Sequence, residues 1–501
     1  MNLIHIILRP IITLTIIILI PKHNKRTLEK IRKLSASLIF IQTIHLHTHC
    51  THNIKQIILL FTSNRIINNT TIKFEQLCID TLSTTLMILT NLLIITCILI
   101  RKKTIYHTHK TLYICLFRIM LTLFLTFTTS RLLIFYIMFE SSIIPLIFII
   151  GIWGSRKEKT RATYYFLLYT IIGSLPLFIT ILIIQHQLRT FNISLLQNIE
   201  INTKRQLKLF TGLFLAFAIK TPLIPWHRWL PLAHVEAPAI GSVLLAGILL
   251  KLGTYGFIRF TIPILTQSSK FLSPIIITIR IISMWLARIN RLRQNDIKRI
   301  IAYSSIAHMG MITAACFSLN TIRKTGAILL MLRHGLTSSA LFALMSHIYE
   351  RHKSRLIKNF QGISYTTPIL STLIIITTLS HMRTPGSINF LGEYLCLLGL
   401  WELHPSITII RTIGIIIGTT YLLLLYIQIT RRKRNIYTKY NIQDLSLNER
   451  QSIIILLIPN ITIGIIPYPI LKWIITIYNL ILIKLLIIQL LIISIQLKNL
   501  I

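Results

Sequence analysis

Four ionisable side chains stand inside long apolar stretches. Lys220 lies in LFLAFAIKTPLIPWHRWLP, Lys251 in LLAGILLKLGTYGF, Glu140 in FYIMFESSIIP and Glu393 in NFLGEYLCLL. Two histidines are placed in the same way, His308 in YSSIAHMG and His334 in LMLRHGLTSS. An ammonium at the centre of a membrane-spanning helix costs about 2.5–3.5 kcal/mol on insertion scales, so each such group is a functional candidate whose partner must be sought. Lysine, glutamate and histidine share one reaction, reversible proton transfer, and neutral imidazole can relay protons near physiological pH. The set therefore points to an ion path in which protons move between buried groups. A plainer reading stands beside it: Glu140 and Lys220 as a static ion pair, and each histidine as a structural one bonded to a backbone carbonyl.

Other chemistry finds less support. The six cysteines are scattered without a C-x-x-C pair, so neither an iron–sulfur nor a zinc site is indicated, and no cofactor is expected in this chain. No glycine-rich phosphate loop occurs. The cluster His45, His47, His49, Cys50 and His52 has metal-ligand types but no acidic neighbour, and reads as a solvated or interfacial segment. Lys and Arg number 53 against 13 Asp and Glu, a net charge of +40. That excess is arranged in short runs between apolar spans, as topology determinants are, and not in an aromatic-interleaved domain, so no nucleic-acid partner is expected.

The elements that carry these residues must be membrane helices. Of the 501 residues 53% are hydrophobic and 13% charged, too apolar for a soluble chain of this size. A span needs about 20 apolar residues, and about fourteen candidates follow, an all-α polytopic membrane protein. They lie near 3–20, 37–62, 78–100, 111–128, 131–151, 163–185, 207–229, 238–258, 271–287, 300–318, 325–347, 369–400, 406–429 and 451–475, with an apolar tail over 476–501. The basic runs Lys22–Lys33, Arg101–Lys110, Arg156–Arg161, Arg288–Arg299, Arg351–Lys358 and Arg431–Lys439 then each join an odd-numbered span to the next even one, so all face one side. Lys220-Thr221-Pro222 breaks the seventh span and Arg383-Thr384-Pro385-Gly386 the twelfth. Paired breaks five spans apart suit an inverted repeat, since an odd offset reverses orientation.

FYIMFESSIIPLIFIIGIWG, YTIIGSLP, AFAIKTPLIPWHRWLPLAHVEAPAIGSVLLAGILLKLGTYGFIRF, LRQNDIKRIIAYSSIAHMGM, LRHGLTSSALF, YERHKSR and INFLGEY together resemble the antiporter-like membrane chains of mitochondrial respiratory complex I, NADH:ubiquinone oxidoreductase. HVEAP followed by LLKLG, with Glu393 in place of a lysine, resembles the chain 4 type. The match covers about residues 78–430. It implies N-terminal transmembrane helices over 1–110, a first five-helix unit over 111–258, an inverted second unit over 271–430 and C-terminal transmembrane segments over 431–501. It further implies proton-path roles: Glu140 paired with Lys220, Lys220 as central switch, Lys251 as bridge, Glu393 as terminal site, with His308 and His334 lining the polar axis. The implied setting is the mitochondrial inner membrane. The implied partners are other membrane-arm subunits, neighbouring antiporter-like chains included, and lipid, with cardiolipin a candidate. The alternative within the same fold is a membrane subunit of a multisubunit cation/proton antiporter. Three arginines depart from the family pattern: Arg228, Arg333 beside His334, and Arg383 before the second break.

The common side of the basic runs gives a topological prediction. A membrane-impermeant lysine reagent supplied from the matrix side is expected to modify 156–161 and 431–439 in sealed inner-membrane vesicles. Modification of those segments from the opposite side would overturn the span order.

Overall fold

A computed structural model describes residues 3–21, 24–52, 58–59, 63–67, 70–74, 77–100, 109–318, 320–360, 362–402, 405–430 and 443–473. The expected basic connections at 101–108 and 431–442, and the apolar tail from 474, lie outside the described residues. Helices α1 (Leu3–Leu19) and α2 (Lys25–His52) precede short strands β1 (Ile58–Leu59), β2 (Ser63–Ile67), β3 (Thr70–Phe74) and β4 (Cys78–Ile79). Then come α3 (Thr81–Leu99), α4 (His109–Thr128), α5 (Leu132–Ser141), α6 (Ile143–Trp153), α7 (Lys159–Leu188), α8 (Ile193–Leu196), α9 (Thr203–Lys220) and α10 (Trp229–Glu236). The series continues with α11 (Ala239–Leu244), α12 (Leu250–Gly256), α13 (Ile262–Ile264), α14 (Thr266–Leu292), α15 (Ile297–Phe317) and α16 (Thr321–His352). It ends with α17 (Ile363–Thr366), α18 (Pro368–His381), α19 (Ile388–Trp401), α20 (Pro405–Thr430) and α21 (Leu447–Ile465).

Among the described residues, 9 helices are long and apolar enough to cross a membrane. Several expected spans fall short of that length for a physical reason. Pro222 and Pro225 end the seventh after Lys220, and Arg383-Thr384-Pro385-Gly386 divides the twelfth into α18 and α19, so neither piece is a full span. The second expected span is corrected more deeply. Of residues 37–62, those to His52 are helical, in a helix that starts at Lys25, Ile58–Leu59 is a strand, and β2 and β3 then pair antiparallel from Ser63↔Phe74 to Ile67↔Thr70. SNRIINNTTIKF is rich in β-branched residues and offers no apolar run of membrane length.

Burial sorts the helices into a central and an outer set. An 18-residue apolar stretch of Ala239–Ile264 is 100% buried and those of α15 and α16 94%, whereas those of α14 and Thr408–Thr430 are 39% and 22% buried. Outer helices present isoleucine and leucine outward, such as Ile275, Ile279, Ile282 and Leu286 on α14 and Ile409, Ile413 and Ile416 on α20. A helix apolar all round that is also inside can accept charged groups only where backbone or side chains meet them.

The defects in the central helices supply those partners. Trp229 Nε1 donates to Ile219 O at 3.0 Å, satisfying a carbonyl at the proline-broken end of α9. Two π-helical turns, Leu245–Leu249 and Phe257–Thr261, flank Lys251. At the second break Asn389 Nδ2 donates to Ser380 O, and Ser387 Oγ to Thr384 O at 2.7 Å. Arg383 there adopts φ 73°, a conformation that side chains other than glycine's rarely take.

Close contact between α9 and α12 depends on glycine. A Cβ on Gly253 would stand 2.8 Å from Phe217 O, and one on Gly256 would run into the Phe217 ring. That ring is held against Phe139 and Phe257, with centroids 6.0 and 5.6 Å away. G256A is therefore expected to destabilise the assembled protein by about 1–3 kcal/mol, seen as a lower thermal transition. G151A, whose Cβ would meet only an ordinary contact at 3.6 Å, should leave that transition unchanged.

Candidate functional site

Lys220 is the last residue of α9 and only 4% exposed. Its Nζ has no hydrogen-bond partner among the described residues and sits 4.1 Å from the centroid of the Phe139 ring. Glu140 is the next residue along α5, just before the break at Ser142, and its Oε1 is buried without a hydrogen-bond partner among the described residues. Lys220 and Glu140 interact electrostatically, yet no direct ion pair within 4.0 Å joins them. The cation thus rests on the aromatic face of the residue that precedes Glu140 in α5.

The surroundings of Lys251 are tighter. Lys251, 0% exposed on α12, donates from Nζ to Ala246 O at 2.5 Å and faces His334 Nδ1 at 2.8 Å. Ala246 lies in the π-helical turn before Lys251, where the altered backbone pattern brings a carbonyl within reach of the side chain. His334 on α16 and His308 on α15 have ring centroids 5.9 Å apart, within reach of one bridging water. His308 Nδ1 is 3.8 Å from Glu393 Oε1 on α19. Lys251, His334, His308 and Glu393 therefore form one buried row drawn from four helices. Among the described residues no comparable contact ties Lys220 to Lys251.

The three unusual arginines separate into two kinds. Arg333 Nη1 donates to Glu393 Oε1 at 2.7 Å, and Arg383 Nε pairs with Glu393 Oε2, so one carboxylate is bracketed by two guanidiniums. Arg333 Nη2 also faces His308 Nε2 at 3.5 Å. Guanidinium keeps its charge at any pH a protein meets, so neither arginine carries a proton and both set the potential that Glu393 and His308 experience. Arg228 lies outside this cluster, exposed in the turn before α10.

Two further histidines join the row that the reading of apolar runs did not single out. His381, at the end of α18, packs against His308 with centroids 4.8 Å apart. His234 stacks on Phe342 at 4.2 Å, interacts electrostatically with Lys251 and Lys298, and has no hydrogen-bond partner on either nitrogen among the described residues. The available signals were position: His381 sits two residues before Arg383 at a break, and His234 lies within AHVEAP.

Glu236, by contrast, pairs with Arg355 at 3.4 Å where the loops around Ser155, Asn295 and Arg355 meet, outside the row. His47 is buried, not solvated: its Nδ1 is 2.7 Å from Thr84 Oγ1 and its ring meets Trp473 edge-on at 4.4 Å, because α2 packs on α3. Among the described residues one group has metal-ligand geometry, His347, Glu350 and Glu449, with ligand atoms within 4.8 Å. Arg351 Nη2 donates to Glu449 Oε2 at 2.7 Å and already supplies the positive charge a cation would bring.

Comparison with known proteins agrees with this architecture. The family model for the NADH:quinone oxidoreductase/Mrp antiporter membrane region matches residues 129–418. The NADH-ubiquinone oxidoreductase chain 4 of Marchantia polymorpha is 39% identical over 457 residues, 91% of each chain. That of Chondrus crispus is 41% identical over 389 residues, 78% of this chain and 79% of its own. A chain of respiratory complex I from Thermus thermophilus shares the fold with a TM-score of 0.81 at 24% identity, covering 94% of this chain and 98% of that one. With two thirds and more of such relatives matched at about this identity, the chain belongs to the NADH:quinone oxidoreductase/Mrp antiporter membrane family and, within it, to the NADH-ubiquinone oxidoreductase chain 4 proteins.

Proposed function

We propose that this chain is the antiporter-like, proton-translocating membrane-arm subunit of respiratory complex I, coupling NADH oxidation and ubiquinone reduction carried out elsewhere in the complex to proton movement. The observation that carries the reading is the buried row Lys251–His334–His308–Glu393, whose successive members are 2.8 Å, 5.9 Å (ring centroids) and 3.8 Å apart. A proton cannot cross apolar packing without titratable groups or water, and this row supplies them at the depth where the helices break. Lys220, near Glu140 but without a direct partner, is the switch: a change in their separation alters the electrostatic cost of holding charge on either. Lys251 bridges to the second half and Glu393 is its terminal group.

The architecture in this reading is about fourteen helices, with inverted five-helix units over 111–258 and 271–430 and broken seventh and twelfth helices. Helices over 1–110 and 431–501 flank them. The breaks at 221–228 and 382–387 support the repeat. The chain holds no redox centre in this account. It sits in the mitochondrial inner membrane beside other membrane-arm subunits, neighbouring antiporter-like chains and lipid. Identity to chain 4 proteins over most of both chains favours complex I over a free-standing cation/proton antiporter.

Replacing Lys220 by methionine keeps the bulk and removes the proton site. K220M and K251M are each expected to lower proton translocation by an assembled complex at least about a hundredfold, the scale of a positioned proton-transfer group, and to take most quinone-reductase turnover with it. Proteoliposomes with a pH-sensitive dye and an NADH-oxidation assay measure both. An assembled K220M complex that pumps at the normal ratio would refute a path through this residue and favour a structural role for the buried charges.

A further inference from the structure

A polar seam runs between α16 and α19, from Glu393 to the end of these helices away from the basic connection at 351–358. Glu393, Cys396, Gly399 and Glu402 recur at three-residue intervals, so they share one side of α19 and of the turn that ends it. Helix α16 lies against that side and meets it in reverse order. Arg333 Nη1 donates to Glu393 Oε1 at 2.7 Å, a Cβ on Gly326 would stand 2.8 Å from Cys396 Sγ, one on Gly399 would collide with the Arg323 side chain, and Asn320 Nδ2 donates to Glu402 Oε2 at 2.8 Å. Glu393 is 2% exposed, whereas Glu402 is exposed. About 14 Å of helix separates them, a short way from the buried row to solvent.

Two guanidiniums stand on this seam without a carboxylate of their own. Arg323, 0% exposed in the first turn of α16, and Arg411, 2% exposed on α20, leave Nε, Nη1 and Nη2 without a hydrogen-bond partner among the described residues, and neither forms an ion pair there. They interact electrostatically with each other, and Arg411 does so with Cys396 and Glu393 as well. Glu393 is already held by Arg333 and Arg383, and Glu402 acts on Arg323 only from the exposed end. The middle of the seam therefore carries positive charge alone.

From this geometry we infer that Arg323 and Arg411 form an electrostatic barrier that stops protons passing between Glu393 and the membrane face at Glu402. Guanidinium hydrogens without protein acceptors draw water, and water along the seam would carry protons. Hydronium is a cation, and two fixed positive charges in a weakly screened interior raise its energy there, as arginine does in pores that admit water and exclude protons. This role differs from that of Arg333 and Arg383, which hold the Glu393 carboxylate itself. The inference rests on Glu393 being the terminal proton group proposed above. The barrier keeps the row from filling or emptying along the seam, so that exchange is left to the coupled path.

The test is the passive proton leak of the assembled complex in sealed vesicles without NADH, read as the collapse of an imposed pH difference by an entrapped pH-sensitive dye. The unsubstituted complex is expected to leak no faster than matched vesicles without protein, and a leak well above theirs would overturn the barrier. R323Q combined with R411Q should speed the collapse at least about tenfold, since two unit charges are lost from a poorly screened site. R323K combined with R411K, which keeps both charges, should stay tight. A double glutamine variant as tight as the unsubstituted complex would overturn the proposal. So would a lysine variant as leaky as the glutamine one, because packing and not charge would then have closed the seam. R323Q alone, expected to leak severalfold faster than the unsubstituted complex, gives the same decision where the double variant does not assemble. Adding E393Q to the leaking variant separates the two claims: restored tightness supports both, and an unchanged leak supports the barrier while refuting Glu393 as the proton group behind it.

Discussion

An ionisable group at membrane depth has to be met by something polar, and in this protein the meeting points are defects in helices. Lys251 reaches the Ala246 carbonyl inside a π-helical turn, Trp229 reaches the Ile219 carbonyl at a proline break, and Asn389 reaches Ser380 across the second break. A regular helix engages its carbonyls in its own ladder, and a break or π-turn leaves some of them more open to other donors. The same irregularities that weaken α9, α12 and α18 as helices therefore make buried lysine and glutamate tolerable. They survive because the residues that offer these carbonyls, Ala246, Ile219 and Ser380, are all buried.

The two halves meet this constraint differently. Around Lys220 there is little charge, only Glu140 and an aromatic ring, and the ammonium keeps no direct hydrogen bond among the described residues. Removing the partner from a buried charge is costly, so even a modest displacement of Glu140 changes the energy at Lys220 substantially. Around Glu393 the opposite holds. Two guanidiniums bracket one carboxylate, and Arg333 also faces His308, so the terminal group sits in a strong fixed field. The surroundings of Lys220 are thus sparse and those of Glu393 crowded with charge.

Much of this was visible in the residues and some was not. Lysines, glutamates and histidines inside apolar runs stand out because each breaks the pattern that membrane burial imposes, so Lys220, Lys251, Glu140, Glu393, His308 and His334 could be named from sequence. Proline and Arg-Thr-Pro-Gly marked the breaks for the same local reason. What touches what was not legible. Arg333 and Glu393 are 60 residues apart and Lys251 and His334 83 apart, and only helix packing brings them together. His381 escaped notice because its importance comes wholly from a contact with His308. The stretch at 37–62 misled at its bounds: the helix there, α2, begins earlier, in the basic stretch at Lys25, and is described to His52, while Ile58–Leu59 is a strand.

The central claim is that protons pass along the imidazoles linking Lys251 to Glu393. His334 is the link whose loss cuts the row while leaving both ends in place. The direct measurement is the number of protons translocated per electron pair by an assembled complex in which His334 is leucine, reconstituted in sealed vesicles. The account predicts a reduced ratio, or turnover that stalls because electron transfer cannot run uncoupled. A normal ratio at normal turnover would contradict it.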